Sequence, residues 1–245
     1  MNRRLLSSDV DGTLAGFQPA TDRFRECWLE LQQESRPLLC FNTGRPVDDA
    51  REFTRSIDLP APDFVIGGVG TEIFDCARGS LIPEYHDSFG GHWDLRKVEE
   101  IVGAFPGVIR QPPENLHPYK SSWYLSDAAK EHIEELEEQL TKAGLNVCVI
   151  YSSNIDLDVL PADANKGNAL RWLANRLGIP LAGCVVAGDS GNDSSMFFVP
   201  EVKGILVGNA RPELLEAVAG LGHFHARREM ADGVIEGLRH HGVFT

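Results

Sequence analysis

Arg4-Leu5-Leu6-Ser7-Ser8-Asp9-Val10-Asp11-Gly12-Thr13 is a short apolar run that ends in a polar loop. Such a run reads as a buried strand whose carboxyl end hands two aspartates to a turn. The stretch from Thr21 to Ser35 then places Phe24, Cys27, Trp28 and Leu31 at helical spacing. Pro37 to Asn42 is a second strand. Pro46 opens a helix carrying Val47, Ala50, Phe53 and Ile57 on one face, and Asp63 to Ile66 is a third strand that ends at Gly67-Gly68. Strand, helix, strand, helix, strand predicts a parallel sheet with covering helices.

The pattern changes after that. Trp93 to Phe105 reads as an amphipathic helix capped by Asp94, and Val108 to Arg110 and Ser121 to Leu125 read as strands. Asp127 to Ala143 is a helix stopped by Gly144, and Val147 to Tyr151 with Ile155 to Leu160 form a hairpin turning at Ser153-Asn154. Helix, two strands, helix, two strands is an α+β module. Alternation then resumes, with a helix from Lys166 to Leu177, strands at Cys184 to Ala187 and Val202 to Val207, and helices at Pro212 to Ala219 and Ala231 to His240. The expected architecture is a discontinuous α/β core, residues 1–82 and 162–245, with residues 83–161 inserted as a second domain.

Composition bounds the function. The 245 residues are 42% hydrophobic and 24% charged, enough for one large domain and a smaller one. The amino end has no apolar run of signal-peptide length and no stretch approaches a membrane span, so the expectation is a soluble cytoplasmic protein without membrane contact. The five cysteines are scattered and lack a Cys-x-x-Cys pair, which fits small buried residues and not a zinc site or disulfide framework. A net charge of −13 argues against nucleic acid. An acidic protein that handles an anion needs local positive charge, from a metal or a few placed cations.

Ligands of open α/β sheets bind beyond the carboxyl ends of the strands. Separate strand ends here deliver Asp9-Val10-Asp11-Gly12-Thr13, Thr43-Gly44-Arg45 and Gly188-Asp189-Ser190-Gly191-Asn192-Asp193, while Lys166 starts the helix after the insertion. Clustered aspartates without a matching cation are costly unless a hard divalent metal sits among them, and Mg²⁺ prefers oxygen ligands. Such a metal lowers the repulsion between an anionic nucleophile and a phosphate. Asp9 can then attack phosphorus to give an aspartyl-phosphate. Asp11, two residues on, can protonate the leaving alkoxide and later take a proton from water. Thr43 and Lys166 would hold the phosphate oxygens. An Asp-x-Asp by itself says little: Asp156-Leu157-Asp158 has the same spacing, and its alternation with Ile155, Leu157 and Val159 reads as the solvent face of a half-buried strand.

In this order, Asp9-Val10-Asp11-Gly12-Thr13, Thr43, Lys166 and Gly188 to Asp193 resemble the four motifs of haloacid dehalogenase (HAD) superfamily phosphatases. The insertion resembles that superfamily's C2-type cap in its smaller, C2B form. The resemblance implies a Rossmann-like parallel-sheet core with an inserted α+β cap. Phe41-Asn42-Thr43-Gly44-Arg45, Gly67 to Glu72, Lys120-Ser121-Ser122-Trp123, Asp158-Val159-Leu160-Pro161, Lys166-Gly167-Asn168-Ala169 and Ala231-Asp232-Gly233-Val234 are similar to the sucrose-phosphate phosphatase group. Within it, Lys120 to Trp123 and Ala231 to Arg239 most resemble the mannosylfructose-phosphate phosphatase branch.

That resemblance implies a phosphoric monoester hydrolase acting on the fructose 6-phosphate end of mannosylfructose 6-phosphate or sucrose 6-phosphate. It implies Mg²⁺ held by Asp9, the Asp11 carbonyl and Asp189, with Asp193 and Asn192 in support. Gly44, Arg45, Lys120 and Asn192 would contact substrate under a closing cap, and a glycosyltransferase (synthase) is the partner it suggests. The rivals are a phosphomutase, a phosphatase for another sugar phosphate, and a silent sugar-phosphate-binding protein, which the full motif set disfavours.

Other residues have ordinary readings beside the functional one. Arg45 can pair with Asp48 or Asp49 instead of substrate, Lys120 can be a solvated lysine, and Glu72 either reaches the crevice or sits in a strand connection. The Gly-rich turn before Glu72 completes neither a dinucleotide fingerprint nor a P-loop. Trp123 and Tyr151 can stack on a sugar or pack between domains. His223, His225, His240 and His241 lack local acidic partners and read as surface histidines, and Glu131 to Glu138 as a solvated helix face.

Overall fold

The computed structural model describes residues 4–89, 93–113 and 116–244; the first three residues of the amino-terminal stretch lie outside the described residues. In chain order the core begins with β1 (Leu5–Ser8), α1 (Gln18–Glu30), β2 (Leu38–Asn42), α2 (Val47–Ser56), β3 (Phe64–Gly67), β4 (Glu72–Asp75) and β5 (Ser80–Leu81). The middle of the chain supplies α3 (Leu95–Gly103), β6 (Ile109–Arg110), β7 (Ser121–Tyr124), α4 (Lys130–Lys142), β8 (Val147–Ser152) and β9 (Asp156–Pro161). The chain continues through α5 (Lys166–Leu177), β10 (Cys184–Gly188), α6 (Ser194–Phe197), β11 (Lys203–Leu206), α7 (Pro212–Ala217), β12 (Phe224–His225) and α8 (Met230–His240).

Neighbouring residues of the central strands bury on opposite faces. Leu5, Cys40 and Val186 join one apolar cluster with Leu170 and Leu173 of α5. Leu6, Leu39 and Val185 join another with Phe24 and Trp28 of α1 and Val234 and Leu238 of α8. A strand covered by helices on both faces is buried throughout, as all four residues of β1 are, Ser7 and Ser8 included. The sheet order is β12-β11-β10-β1-β2-β3-β4-β5, parallel except where β4 and β5 turn back. From β1 the chain moves out to β3 on one side, and later from β10 to β12 on the other. The switch point therefore lies between β1 and β10, and ligands of such sheets bind in the crevice outside it.

The Gly-rich run after β3, which the sequence suggests is only a turn, leads into a hairpin that extends the sheet. Its turn holds Val69 and Gly70 at positive φ, 58° and 91°. A Cβ on Gly70 would lie 2.3 Å from the backbone carbon of Asn165, so this turn presses directly on the start of α5. Next, Pro83–Phe89 forms a 3₁₀ turn that buries Tyr85 and Phe89 in the core cluster, with the Tyr85 ring 5.3 Å from Trp172 of α5.

A second, antiparallel sheet has the order β6-β7-β9-β8. Val98 and Val102 of α3 and Leu136 and Leu140 of α4 pack on one of its faces against Trp123, Leu157 and Val159. Asp94 caps α3 as expected, accepting from Lys97 N at 3.1 Å. The β8–β9 turn holds Ser153 and Asn154 at φ 58° and 57°, left-handed positions that asparagine tolerates better than most residues. Trp123 and Tyr151 pack within the second sheet's own cluster, not between the two sheets as expected: Trp123 Nε1 donates to Ser121 Oγ at 2.8 Å, and the Tyr151 hydroxyl bonds the backbone of Leu125 and Ala128 at 2.9 Å each. Helix starts differ from the expected ones by about a turn: α1 begins at Gln18, not Thr21, and α4 at Lys130, because Asp127 is left-handed at φ 47°.

Gly70 supplies the check on this packing. Gly70→Ala is expected to lower unfolding free energy by about 2 kcal/mol or more, from backbone strain and the clash with Asn165. Urea denaturation measures it, and an unchanged midpoint would refute the close approach.

Candidate active site

The site follows from the sheet register. Ser8 of β1 pairs with Ala187 of β10 and with Phe41 of β2, and Asp9 N donates to Ala187 O at 2.9 Å. Asp9, Thr43 and Asp189 therefore leave the same sheet edge side by side. After Asp9 the backbone curls: Val10 O accepts from Thr13, Leu14 and Ala15 N. Gly12 makes the curl possible, at φ +78° and with a would-be Cβ only 2.5 Å from Asp189 Oδ2. Asn209, following β11, locks the curl from behind, donating to Gly12 O at 2.8 Å while accepting from Met230 N at 2.7 Å.

Lys166 is the centre of the site. It is 0% exposed, at the first turn of a helix that Asn165 caps by accepting from Asn168 N at 2.8 Å. Its ammonium donates to Asp9 Oδ1 and to Asp193 Oδ1, each at 2.7 Å. The other Asp193 oxygen accepts from Asp189 N and Ser190 N at 3.0 Å each. Asp193 is therefore fully engaged in holding the lysine and the 188–193 loop, whereas Asp189 receives one Thr13 hydroxyl at 3.1 Å.

Asp9, Asp189 and Asp193 bring carboxylate oxygens within 4.8 Å of one another. Three buried carboxylates face one ammonium. Burial, only partly offset by Lys166, pushes Asp9 well above the usual carboxylate range. Burial and the Asp193 charge push Asp189 up to about 6. A divalent cation is the physical remedy for such a cluster, so the donor set fits one.

Asp11 does not join this cluster. Its carboxylate is about half exposed and takes a two-pronged pair from Arg45, Nε to Oδ2 at 2.7 Å and the second nitrogen to Oδ1 at 2.8 Å. Arg45 also reaches Asp49 at 2.8 Å and lies over the Phe53 ring at 3.9 Å, so the acid pairing expected of it is seen, with Asp11 as a second partner, and the same residue lines the cleft. Thr43 is entirely buried; its hydroxyl accepts from Arg45 N at 3.2 Å.

Above these residues opens a cavity of about 500 Å³. Asp9, Asp11, Gly12, Gly44, Asp189 and Asn192 form its core wall; Gln111, Lys120, Ser152, Ser153, Asp156 and Asp158 form the wall from the second sheet. Asp156-x-Asp158, read from sequence as a solvent face, points into this cleft instead. Alternation correctly gives the polar face, but that face is roofed by the other sheet's edge. Burial and the neighbouring Asp158 raise Asp156. Lys120 is 4% exposed, not a solvated lysine, with Nζ 3.4 Å from Asp158 Oδ1 and 3.5 Å from Gly44 O. Glu72 does not line the cleft; it pairs with His117 at 2.8 Å. The histidines near the carboxyl end lie outside the cleft: His223 bonds Phe197 O, and His240 stacks on Phe224 with its ring 4.9 Å from His241.

Sequence reasoning missed Arg211, Asn209 and Gln111. Arg211 N donates to Asp189 O at 2.7 Å and its side chain lines the cleft. The first two follow β11, the strand beside β10, so the sheet-edge rule that finds Asp189 reaches them as well. Gln111 follows a two-residue strand and gives no such signal.

The same fold is seen in a HAD subclass IIB sugar phosphatase, at 17% identity and a TM-score of 0.68 over 98% of this chain and 100% of that one. Fold, switch-point aspartates and buried lysine together define the class, a phosphatase of the HAD superfamily. Within it, the model of the sucrose-6F-phosphate phosphohydrolase family matches residues 2–242, and the chain belongs to that family. It is 44% identical to a mannosylfructose-phosphate phosphatase of Agrobacterium fabrum, across 98% of this chain and 97% of that protein. A probable sucrose-phosphatase of Arabidopsis thaliana is 34% identical, with 97% of this chain aligned to 59% of that longer protein. The structure of the Synechocystis sucrose-phosphatase, in complex with sucrose and phosphate, superposes at a TM-score of 0.90 with 33% identity, covering 98% of both chains. Among the described residues no helix is long and apolar enough to cross a membrane.

Asp189 yields a test in metal-free protein. Its folded-state pKa lies above the unfolded value of about 3.9, so the folded form binds the extra proton and this carboxylate's contribution to stability falls as pH rises from about 4 to about 6. In chelator, Asp189→Asn should melt higher than wild type at pH 7, with the gap closing toward pH 5. A gap that stays constant, or opens at low pH, would contradict the repulsion described.

Proposed function

We propose that this enzyme is a Mg²⁺-dependent phosphatase that hydrolyses a disaccharide phosphate, mannosylfructose 6-phosphate or sucrose 6-phosphate. One observation carries the reading: the Asp9–Lys166–Asp193 cluster with Asp189 sits at the floor of a cleft whose opposite wall is polar and belongs to the second sheet. A floor built for phosphate and a wall rich in carboxylates, amides and hydroxyls suit a phosphorylated, hydroxyl-bearing substrate.

Asp9 is the nucleophile. Lys166 occupies Oδ1 and leaves Oδ2 to attack phosphorus as the sugar–oxygen bond to phosphorus breaks. Once freed from Arg45, Asp11 takes up a proton from solvent, gives it to the departing alkoxide, then takes one from the water that attacks the aspartyl-phosphate and releases inorganic phosphate. To do so it must leave Arg45, whose hold on both carboxylate oxygens would be traded for the substrate's negative charge. Thr43, Gly44 and Lys166 stabilise the phosphate oxygens. Asp9, Asp189 and the Asp11 carbonyl would hold the Mg²⁺, with Asp193 and Asn192 supporting. Bound there, the ion neutralises the charge between carboxylate and phosphate and polarises a phosphate oxygen. Residues 83–161 act as the cap: Gln111, Lys120, Asp156 and Asp158 read the sugars, while Arg45 and Asn192 line the passage between cap and core. The 44% identity to a mannosylfructose-phosphate phosphatase supports the disaccharide assignment. The reaction that supplies such a substrate joins a sugar to fructose 6-phosphate, so a glycosyltransferase is the natural partner.

Phosphate release from a panel of sugar phosphates, with Mg²⁺ and with chelator, tests the reading. Release should be metal-dependent and favour the two disaccharide phosphates. Equal rates on monosaccharide phosphates would overturn the substrate, and transfer without release would favour a mutase. Asp9→Asn should abolish turnover and Asp11→Asn lower kcat by about 10²–10⁴-fold; a full rate for Asp9→Asn would end the nucleophile assignment.

A further inference from the structure

Glu72 opens β4 of the core, and His117 belongs to the chain between β6 and β7. Their side chains meet at 2.8 Å, His117 Nε2 to Glu72 Oε1, and each is only 10% exposed. The histidine's tautomer follows from its neighbours. Nδ1 accepts from Tyr119 N at 3.1 Å, so the proton stands on Nε2 and is donated to Glu72. Burial by itself would raise the Glu72 carboxylate, and the His117 hydrogen bond holds it below its usual value.

The pair is joined to the cleft by a short path. Lys120 N donates to His117 O at 3.1 Å, closing residues 117–120 into a tight turn with His117 at one end and Lys120 at the other. The turn is also clamped in the middle, where Tyr119 stacks on His86 at 4.4 Å and His86 Nε2 lies 3.1 Å from Thr71 O. From its far end Lys120 spans the cleft, between Asp158 of the second sheet and Gly44 O of the core. A lysine side chain has many rotamers, and holding one across a cavity requires its backbone to be fixed.

We infer that Glu72 and His117 are positioning residues: their buried pair, fixed to the core, sets the turn that aims Lys120 at the sugar. Glu72 acts on substrate only through other residues, since it does not line the cleft. The inference rests on the proposed role of the second sheet in reading the sugar.

A double-mutant cycle tests it. Glu72→Gln should raise KM for the preferred disaccharide phosphate about tenfold while changing kcat less than about threefold. Its turnover of p-nitrophenyl phosphate, which carries no sugar, should match wild type. In a Lys120→Ala background the same Glu72→Gln change should add no more than about twofold, because the group it positions is gone. His117→Gln, whose amide can still donate to Glu72, should keep most of the affinity that His117→Ala loses. A tenfold effect that persists in the Lys120→Ala background, or equal losses on both substrates, would overturn the inference. Circular dichroism shows whether each variant folds, and if Glu72→Gln does not, His117→Ala takes its place in the cycle. Wild type that turns over neither disaccharide phosphate would defeat the substrate reading alone, and the cycle would then be read on the sugar phosphate it does hydrolyse.

Discussion

The ammonium of Lys166 has no exposed surface, and a lysine is buried that deeply only when paired charges repay its lost hydration. Here Asp9 and Asp193 share it at equal distance, one at the end of β1 and the other beyond β10. These three residues come from separate parts of the chain, so the pairing couples the β1 loop, the β10 loop and the start of α5. Removing the lysine would leave two buried carboxylates unpaired, a loss of about 3–5 kcal/mol for a broken buried pair. The close approach of Gly70 to Asn165 and the Asn42 bond to Lys166 O hold the helix start in place for this contact.

The same charge arrangement serves function. Burial, with one cation among three acids, leaves Asp9 and Asp189 protonating more easily than ordinary carboxylates, and the donor set fits a divalent ion. Arg45 performs a parallel task at the rim, holding Asp11 to one side of the cluster through two short hydrogen bonds. An anion arriving in the cleft would compete for that guanidinium. In the proposed mechanism this would couple substrate entry to the freeing of Asp11.

The parallel sheet and its polar edge are legible in the chain. Strand-like runs ending in Asp9, Thr43 and Asp189 are local patterns, and parallel α/β alternation obliges their carboxyl ends to share an edge. The motif order and spacing resemble HAD phosphatases for that reason. The hairpin of β4 and β5 was less readable, because Gly67 to Thr71 looks like a connection and the following strands are short. Asp156 and Asp158 show the sharper limit. Their alternation reveals a polar face but not what lies opposite it, and solvent and a substrate cleft give the same two-residue period.

Taken alone, the sequence determined the sheet class and the second sheet, and it pointed to Asp9 and to a cation beside the aspartates, since these depend on periodicity and on charge count. Tertiary structure decided the partners. It turned Asp11 toward Arg45, committed both oxygens of Asp193, brought Lys120, Asp156 and Asp158 over the cleft, and drew Glu72 to His117 instead of to substrate. The reason is physical: hydrogen bonds and ion pairs act over about 3 Å, and which groups come that close is fixed by how two sheets meet, a relation no local pattern encodes.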